Sequence, residues 1–153
     1  MLRADLNEAL KAAMKSRDSG RVSTLRLILA ALQERDIAAR GKEGDSAATV
    51  SDESIWQMLQ SMVRQRRESI ALYQQGKRAD LAAKEEAEIA VIEEFLPRQM
   101  DAAEAENRIR AVIGDIGAAG MKDMGKVMAA LKERYAGQMD FGQASGIVKR
   151  LLA

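Results

Sequence analysis

Cysteine and histidine are both missing from the 153 residues. Their absence excludes a disulfide framework, a thiolate or imidazole metal site, a Ser-His-Asp triad and a Cys-His pair. Proline occurs once and aromatic residues make up only 3% of the chain, so strand formers are scarce. Carboxylate, lysine, serine or tyrosine chemistry survives these exclusions, yet no cluster of such groups stands out. A cofactor is not expected, and neither is a metal.

Charge of one sign is also lacking. The 24 basic and 23 acidic residues leave a formal net charge of +1, which demands neither a polyanion nor a membrane surface as partner. The longest aliphatic runs, such as Ile89-Ala90-Val91-Ile92, fall far short of the roughly 20 residues that span a bilayer. Met1-Leu2-Arg3-Ala4-Asp5-Leu6-Asn7-Glu8 has no apolar stretch of signal-peptide length, so a cytoplasmic address is expected.

What is abundant is Ala, Leu, Met, Gln, Glu, Lys and Arg, the vocabulary of helices. The chain reads as all-α. Leu2, Leu6, Leu10 and Met14 mark a first helix, closed by a turn at Asp18-Ser19-Gly20. Leu25, Ile28, Leu29 and Leu32 share one arc of a second helix over Val22 to Arg40, as 100° per residue requires. Gly41 to Val50 is small, polar and aperiodic, and reads as an exposed loop. Ser51 caps a long third helix, with Asp52 and Glu53 favourably placed at its positive end, and Gly76 stops it after Gln75. Asp80 opens a fourth helix running to Leu96.

Pro97 lacks the amide hydrogen that would continue a helix and disfavours helical geometry at Leu96. The expected organisation is therefore an N-terminal four-helix domain of long antiparallel helices over 1–96 and a small three-helix domain over 97–153. In the second part Asp101-Ala102-Ala103-Glu104 begins a helix like a capping box, with Ala105, Ile109, Val112, Ile113 and Ile116 on one face. Asp123 is the expected cap of the next helix, with Met124, Val127, Met128, Leu131 and Tyr135 as its stripe. Asp140 caps the last, where Ala144, Ile147, Val148 and Leu151 face inward.

Splitting the charges at Pro97 gives 15 basic and 16 acidic residues before it, and 9 basic and 7 acidic from it onward. The tail excess sits on the last two helices, through Lys122, Lys126, Lys132, Arg134, Lys149 and Arg150. Those cations form either an anion-binding face or an ordinary solvated surface. Gly41-Lys42-Glu43-Gly44-Asp45-Ser46 lacks both the spacing and the preceding strand of a phosphate loop. Trp56, Tyr73, Phe95, Tyr135 and Phe141 are too few, and too often on apolar arcs, to make a base-stacking platform. The methionines read as adaptable core filling.

One charge breaks the helical pattern. Arg66 projects among Ile55, Leu59, Met62, Ile70 and Tyr73, while Glu85 and Glu88 lie on the apolar arc of the fourth helix. An unpaired buried charge costs several kcal/mol, so a structural ion pair joining Arg66 to Glu85, Glu88 or both is expected. The catalytic alternative, Glu85 and Glu88 as a general acid/base pair, needs a cleft and a shifted carboxyl pKa, and a neighbouring arginine pushes that pKa down.

Lys122-Asp123-Met124-Gly125-Lys126-Val127-Met128 is the most distinctive string. A glycine in a first helical turn with lysines on either side suits a phosphate, or else Gly125 permits close helix packing. Together with Glu94-Phe95-Leu96-Pro97-Arg98-Gln99-Met100, Ser23-Thr24-Leu25-Arg26-Leu27 and Gln65-Arg66-Arg67-Glu68-Ser69-Ile70, this string makes the chain resemble the GatB/YqeY family over essentially its full length.

The resemblance implies a stand-alone YqeY-like protein whose second half is similar to the C-terminal tail of the GatB subunit of tRNA-dependent amidotransferases. In that enzyme the tail looks like a tRNA-holding part, and family labels carry a term for carbon–nitrogen ligases with glutamine as amido donor. With no cysteine nucleophile here, that activity is expected only through a partner enzyme, and no independent catalysis is expected. The implied role is a non-catalytic tRNA-binding or amidotransferase-associated accessory module. Its contacts would come from Lys122, Gly125, Lys126, Lys149 and Arg150, with tRNA and an amidotransferase or other protein as partners and no membrane. A helical protein–protein adaptor is the alternative.

Overall fold

The computed structural model describes residues 1–44 and 49–153, and every regular element among them is helical. Contacts divide the chain into two compact units, Met1–Leu96 and Pro97–Ala153. The first contains α1 (Leu2–Lys15), α2 (Ser19–Glu43), α3 (Asp52–Gln75) and α4 (Ala79–Glu93). The second contains α5 (Ala102–Ile116), a 3-10 turn over Met121–Asp123, α6 (Met124–Tyr135) and α7 (Phe141–Leu152).

In the first unit the apolar arcs of α1, α2, α3 and α4 meet in one core. Leu6, Leu25, Ile28, Ile55, Leu59 and Ile92 are fully buried there, each side chain contributing about 1.5–3 kcal/mol of transfer free energy. A smaller cluster of Ile70, Ala82 and Ile89 joins α3 to α4 nearer the turn between them. Met62 belongs to the main core as its spacing suggests, but Met14, placed on the α1 stripe by periodicity, is 52% exposed.

Several boundaries differ from the sequence expectation for local reasons. Asp18 accepts a hydrogen bond from the Arg21 amide at 3.1 Å, so it caps α2 and the helix starts at Ser19, ahead of Val22. The actual reversal is at Arg17, which takes the left-handed conformation with φ 58°. At its other end α2 continues through Gly41 to Glu43 and closes on left-handed Gly44, so the expected loop loses its first residues to helix. The last two residues of the phosphate-loop comparison, Asp45 and Ser46, lie outside the described residues, as do residues 47 and 48 of the expected loop.

On α4, Asp80 sits in the first turn while Arg78 occupies the cap position, and the helix ends at Glu93, short of Leu96. Ser51, by contrast, caps α3 through Ser54 at 3.2 Å.

The second unit has its own core of Ile109, Val112, Val127, Leu131, Met139, Ala144, Val148 and Leu152. Asp101 caps α5 through the Glu104 amide at 2.8 Å, and left-handed Gly117, φ 72°, ends it. Asp140 caps α7 by accepting from Gly142 and Gln143. The extended entry at Pro97 is tied to the α6–α7 connection. Gln99 donates to the carbonyls of Pro97 and Gly137, and the Met100 amide donates to Gln138 at 3.0 Å. Proline removes a donor at this entry, and side-chain and backbone bonds to the opposite loop fix its path.

Candidate nucleic-acid interface

The string Lys122 to Met128 folds as a 3-10 turn running directly into α6. Its even-handed alternation of exposure follows from the helix: Val127 is buried in the core and Met124 and Met128 pack against it, which leaves Lys122, Gly125 and Lys126 on the exposed side. Asp123 behaves differently from the cap assigned to it. Its carboxylate turns back to accept from the Ala119 amide at 3.0 Å, and no side chain caps α6. The helical stretch therefore opens at Met121, and Asp123 closes the loop before it.

Gly125 was read from sequence as either a phosphate-facing or a packing glycine. A Cβ built on it meets nothing within 4 Å, so helix packing within the second unit does not require a glycine there. The residue instead leaves bare backbone on an exposed turn between two lysines.

Four of the five arginines in the second unit are paired among the described residues, Arg108 being the exception. Arg98, Arg110, Arg134 and Arg150 each hold a carboxylate. Lys122, Lys126 and Lys149 are exposed and have no ion-pair partner among the described residues. Arg150 lies 3.1 Å from Glu106 of α5. Hydrogen bonding from Arg110, aided by the charge of Arg150, holds the Glu106 carboxyl below its ordinary range. Of the five tail residues singled out by sequence, three are thus brought together at the start of α6. Lys149 and Arg150 lie at the end of α7, and Arg150 has an acidic competitor beside it.

Outside the tail, Arg66 donates through Nε to Glu88 Oε2 at 2.8 Å and through Nη1 to the Met62 carbonyl at 3.2 Å. Glu85 stands farther off, at 4.0 Å. The other acids at the end of α4 are taken by arginines too: Glu93 by Arg67 at 3.1 Å and Glu94 by Arg21. Arg66 thus ties α3 to α4 chiefly through Glu88, with Glu85 at the edge of contact.

A second network, centred on buried Asp36, was not anticipated. Arg3 donates to both oxygens of Asp36, at 2.7 and 2.6 Å, and to the Val50 carbonyl at 3.2 Å, while the Val50 amide donates to Asp36 at 3.0 Å. These bonds fasten α1 and α2 to the segment entering α3. Hydrogen bonding from Arg3 outweighs burial and lowers the Asp36 pKa, and the same bond raises that of Arg3. The signal was present in sequence, because Asp36 follows Leu25, Ile28 and Leu32 on one arc just as Arg66 interrupts the arc of α3.

All five aromatic side chains are spent on packing. Trp56 and Phe95 rest on the first core, Tyr73 on the α3–α4 cluster, and Tyr135 and Phe141 on the second core. These aromatic side chains therefore form no open platform on which bases could stack.

Among known sequences, the family model described as Yqey-like protein matches residues 3–152. The chain belongs to the YqeY-like family. It is similar to the altered inheritance of mitochondria protein 41 of three yeasts. Identity is 33% over 103 residues in Lachancea thermotolerans, covering 67% of this chain and 52% of the relative. It is 32% over 87 residues in Saccharomyces cerevisiae, covering 57% and 44%, and 30% over 92 residues in Kluyveromyces lactis, covering 60% and 46%. The chain thus matches about half the length of these curated relatives. Among the described residues, no helix of this YqeY-like chain is long and apolar enough to cross a membrane.

Proposed function

We propose that this YqeY-like chain is a non-catalytic accessory module. In this reading residues 97–153 hold tRNA by its backbone, and residues 1–96 form a separate four-helix domain. The observation that carries it is the start of α6, where exposed Lys122 and Lys126 flank a glycine with open space above it and neither lysine has a carboxylate partner among the described residues. Lysines free of acids give up little on meeting phosphate, and a bare glycine lets a sugar-phosphate strand approach the backbone closely. Lys149 adds charge, and Arg150 does so after exchanging Glu106 for phosphate.

Resemblance of this half to the tail of the GatB subunit supports tRNA as the particular polyanion. Association with an amidotransferase follows from the same resemblance, with glutamine hydrolysis and ligation left to the partner enzyme. A cytoplasmic site of action belongs to this proposal; the word mitochondrial in the relatives' names describes those proteins.

Gel retardation of total tRNA at low and moderate salt tests the reading. Retardation at micromolar protein that weakens steeply with salt is the expected result, and no retardation at low salt refutes it. Adding the chain to an amidotransferase truncated of its GatB tail tests the association, since restored turnover is expected and unchanged turnover removes it.

A further inference from the structure

The strongest unexplained surface lies in the first unit and includes none of the tail residues discussed above. The end of α1, the reversal after it and the first turns of α2 enclose an open cavity of about 640 Å³ lined by Met14, Arg17, Val22, Ser23, Arg26 and Leu27, with Ser19 at its edge. Its apolar lining is open to solvent, with Met14 52% and Leu27 47% exposed. The same helix buries its opposite side normally, through Thr24, Leu25 and Ile28. Within the string Ser23-Thr24-Leu25-Arg26-Leu27, core packing therefore accounts for two residues and leaves the other three on this surface.

Charge tells what could cover it. No aspartate or glutamate lines the cavity. The nearest acid in sequence, Asp18, is engaged in capping α2, and Arg21 is taken by Glu94. Arg17 and Arg26 have no ion-pair partner among the described residues. Arg17 is also fixed in place, since its left-handed backbone is braced by bonds from its own amide to the Met14 carbonyl and from the Asp18 amide to the Ala13 carbonyl, at 3.2 and 3.1 Å. An apolar trough with two unpaired guanidinium groups and no acid in its lining matches a ligand that offers aliphatic side chains and carboxylates together.

We infer that this trough receives an acidic amphipathic helix of a partner protein. Leucine-like side chains at i, i+3, i+4 and i+7 would cover Met14, Val22 and Leu27, and glutamates on the edges of that stripe would meet Arg17 and Arg26. Nucleic acid fits less well, because the lining has no aromatic face for a base and phosphate gains nothing from the methionine and leucine. The inference stands apart from the proposed tRNA contact, as it uses none of the tail residues.

The test is fluorescence anisotropy of a synthetic helical peptide with leucine at those spacings and glutamate elsewhere, titrated with the full chain. Arg26→Glu and Leu27→Asp, both at exposed positions, are checked by thermal melts for an intact fold. Each variant is expected to bind the peptide about tenfold more weakly or worse, with tRNA retardation unchanged. Arg26→Glu should in addition gain affinity for the peptide whose glutamates are replaced by lysine, a reversal that a merely structural role would not produce. Absence of peptide binding by the wild type, equal binding by wild type and both variants, or loss of tRNA binding in place of peptide binding would each overturn the inference.

Discussion

Arg66 binds Glu88, at 2.8 Å, and holds Glu85 only at the edge of contact, at 4.0 Å. The two acids are one helical turn apart on α4, yet they are unequal partners. With side-chain exposures of 13% for Arg66 and 17% for Glu88, losing the nearer carboxylate leaves a largely desolvated guanidinium. Glu88→Ala should therefore cost about 1–3 kcal/mol, and Glu85→Ala less than about 1 kcal/mol. Melts of the Arg66→Ala and Glu88→Ala variants and their double mutant check this, since losses that add without interaction would show the pair uncoupled.

Asp36 gives a prediction in acid. Its carboxyl pKa is lowered in the folded chain, chiefly by the hydrogen bond from Arg3. As pH falls, the unfolded chain takes up the proton first. The stabilisation is complete above the unfolded carboxylate value of about 3.9 and is lost as pH drops through the lower folded value. Asp36→Asn should destabilise the first unit by about 1–3 kcal/mol near neutrality. The gap between variant and wild type should narrow below about pH 4, which denaturant titrations at several pH values would show.

How much of this was legible in the sequence depends on the range over which each signal acts. Caps that bond within three residues, such as Ser51 and Asp101, were readable because the partner amide is fixed by helical geometry. Asp123 failed as a cap because its carboxylate found an amide four residues earlier, on Ala119, and only the path of the preceding loop decides that. Arg66 is visible as a charge on an apolar arc, and Asp36 carries the same signal on the arc of Leu25, Ile28 and Leu32. What periodicity could not supply was the choice of partner, because Arg3 and Asp36 are 33 residues apart and Arg21 and Glu94 are 73 apart. Nor could it show that Gly125 has open space about it, a fact that needs every neighbouring atom.

Two turns in the first unit carry a cation where glycine is the easier residue. Arg17 and Lys77 both have φ 58°, a conformation that costs a side-chain-bearing residue about 1 kcal/mol. Lys77→Gly should be neutral or stabilising by up to about 1 kcal/mol. Gly117→Ala, at φ 72°, should lose at least that much. Paired thermal melts would separate the two directions, and a stabilised Gly117→Ala would contradict the assigned backbone.

Gly125→Ala separates folding from binding at one residue. Alanine has room there and favours helix by up to about 1 kcal/mol, so the melting temperature should hold or rise. If a phosphate strand approaches the bare backbone, tRNA affinity should fall at the same time. A variant that is equally stable and binds as well as the wild type would remove Gly125 from the contact.

The most direct measurement is tRNA affinity against salt concentration for the wild-type chain and the Lys122→Ala/Lys126→Ala double variant. Two lost phosphate contacts should make the slope of log affinity against log salt shallower by about 1–2, with weaker binding at every concentration. Identical slopes and affinities for the two proteins, or no tRNA binding by the wild type at low salt, would contradict the account.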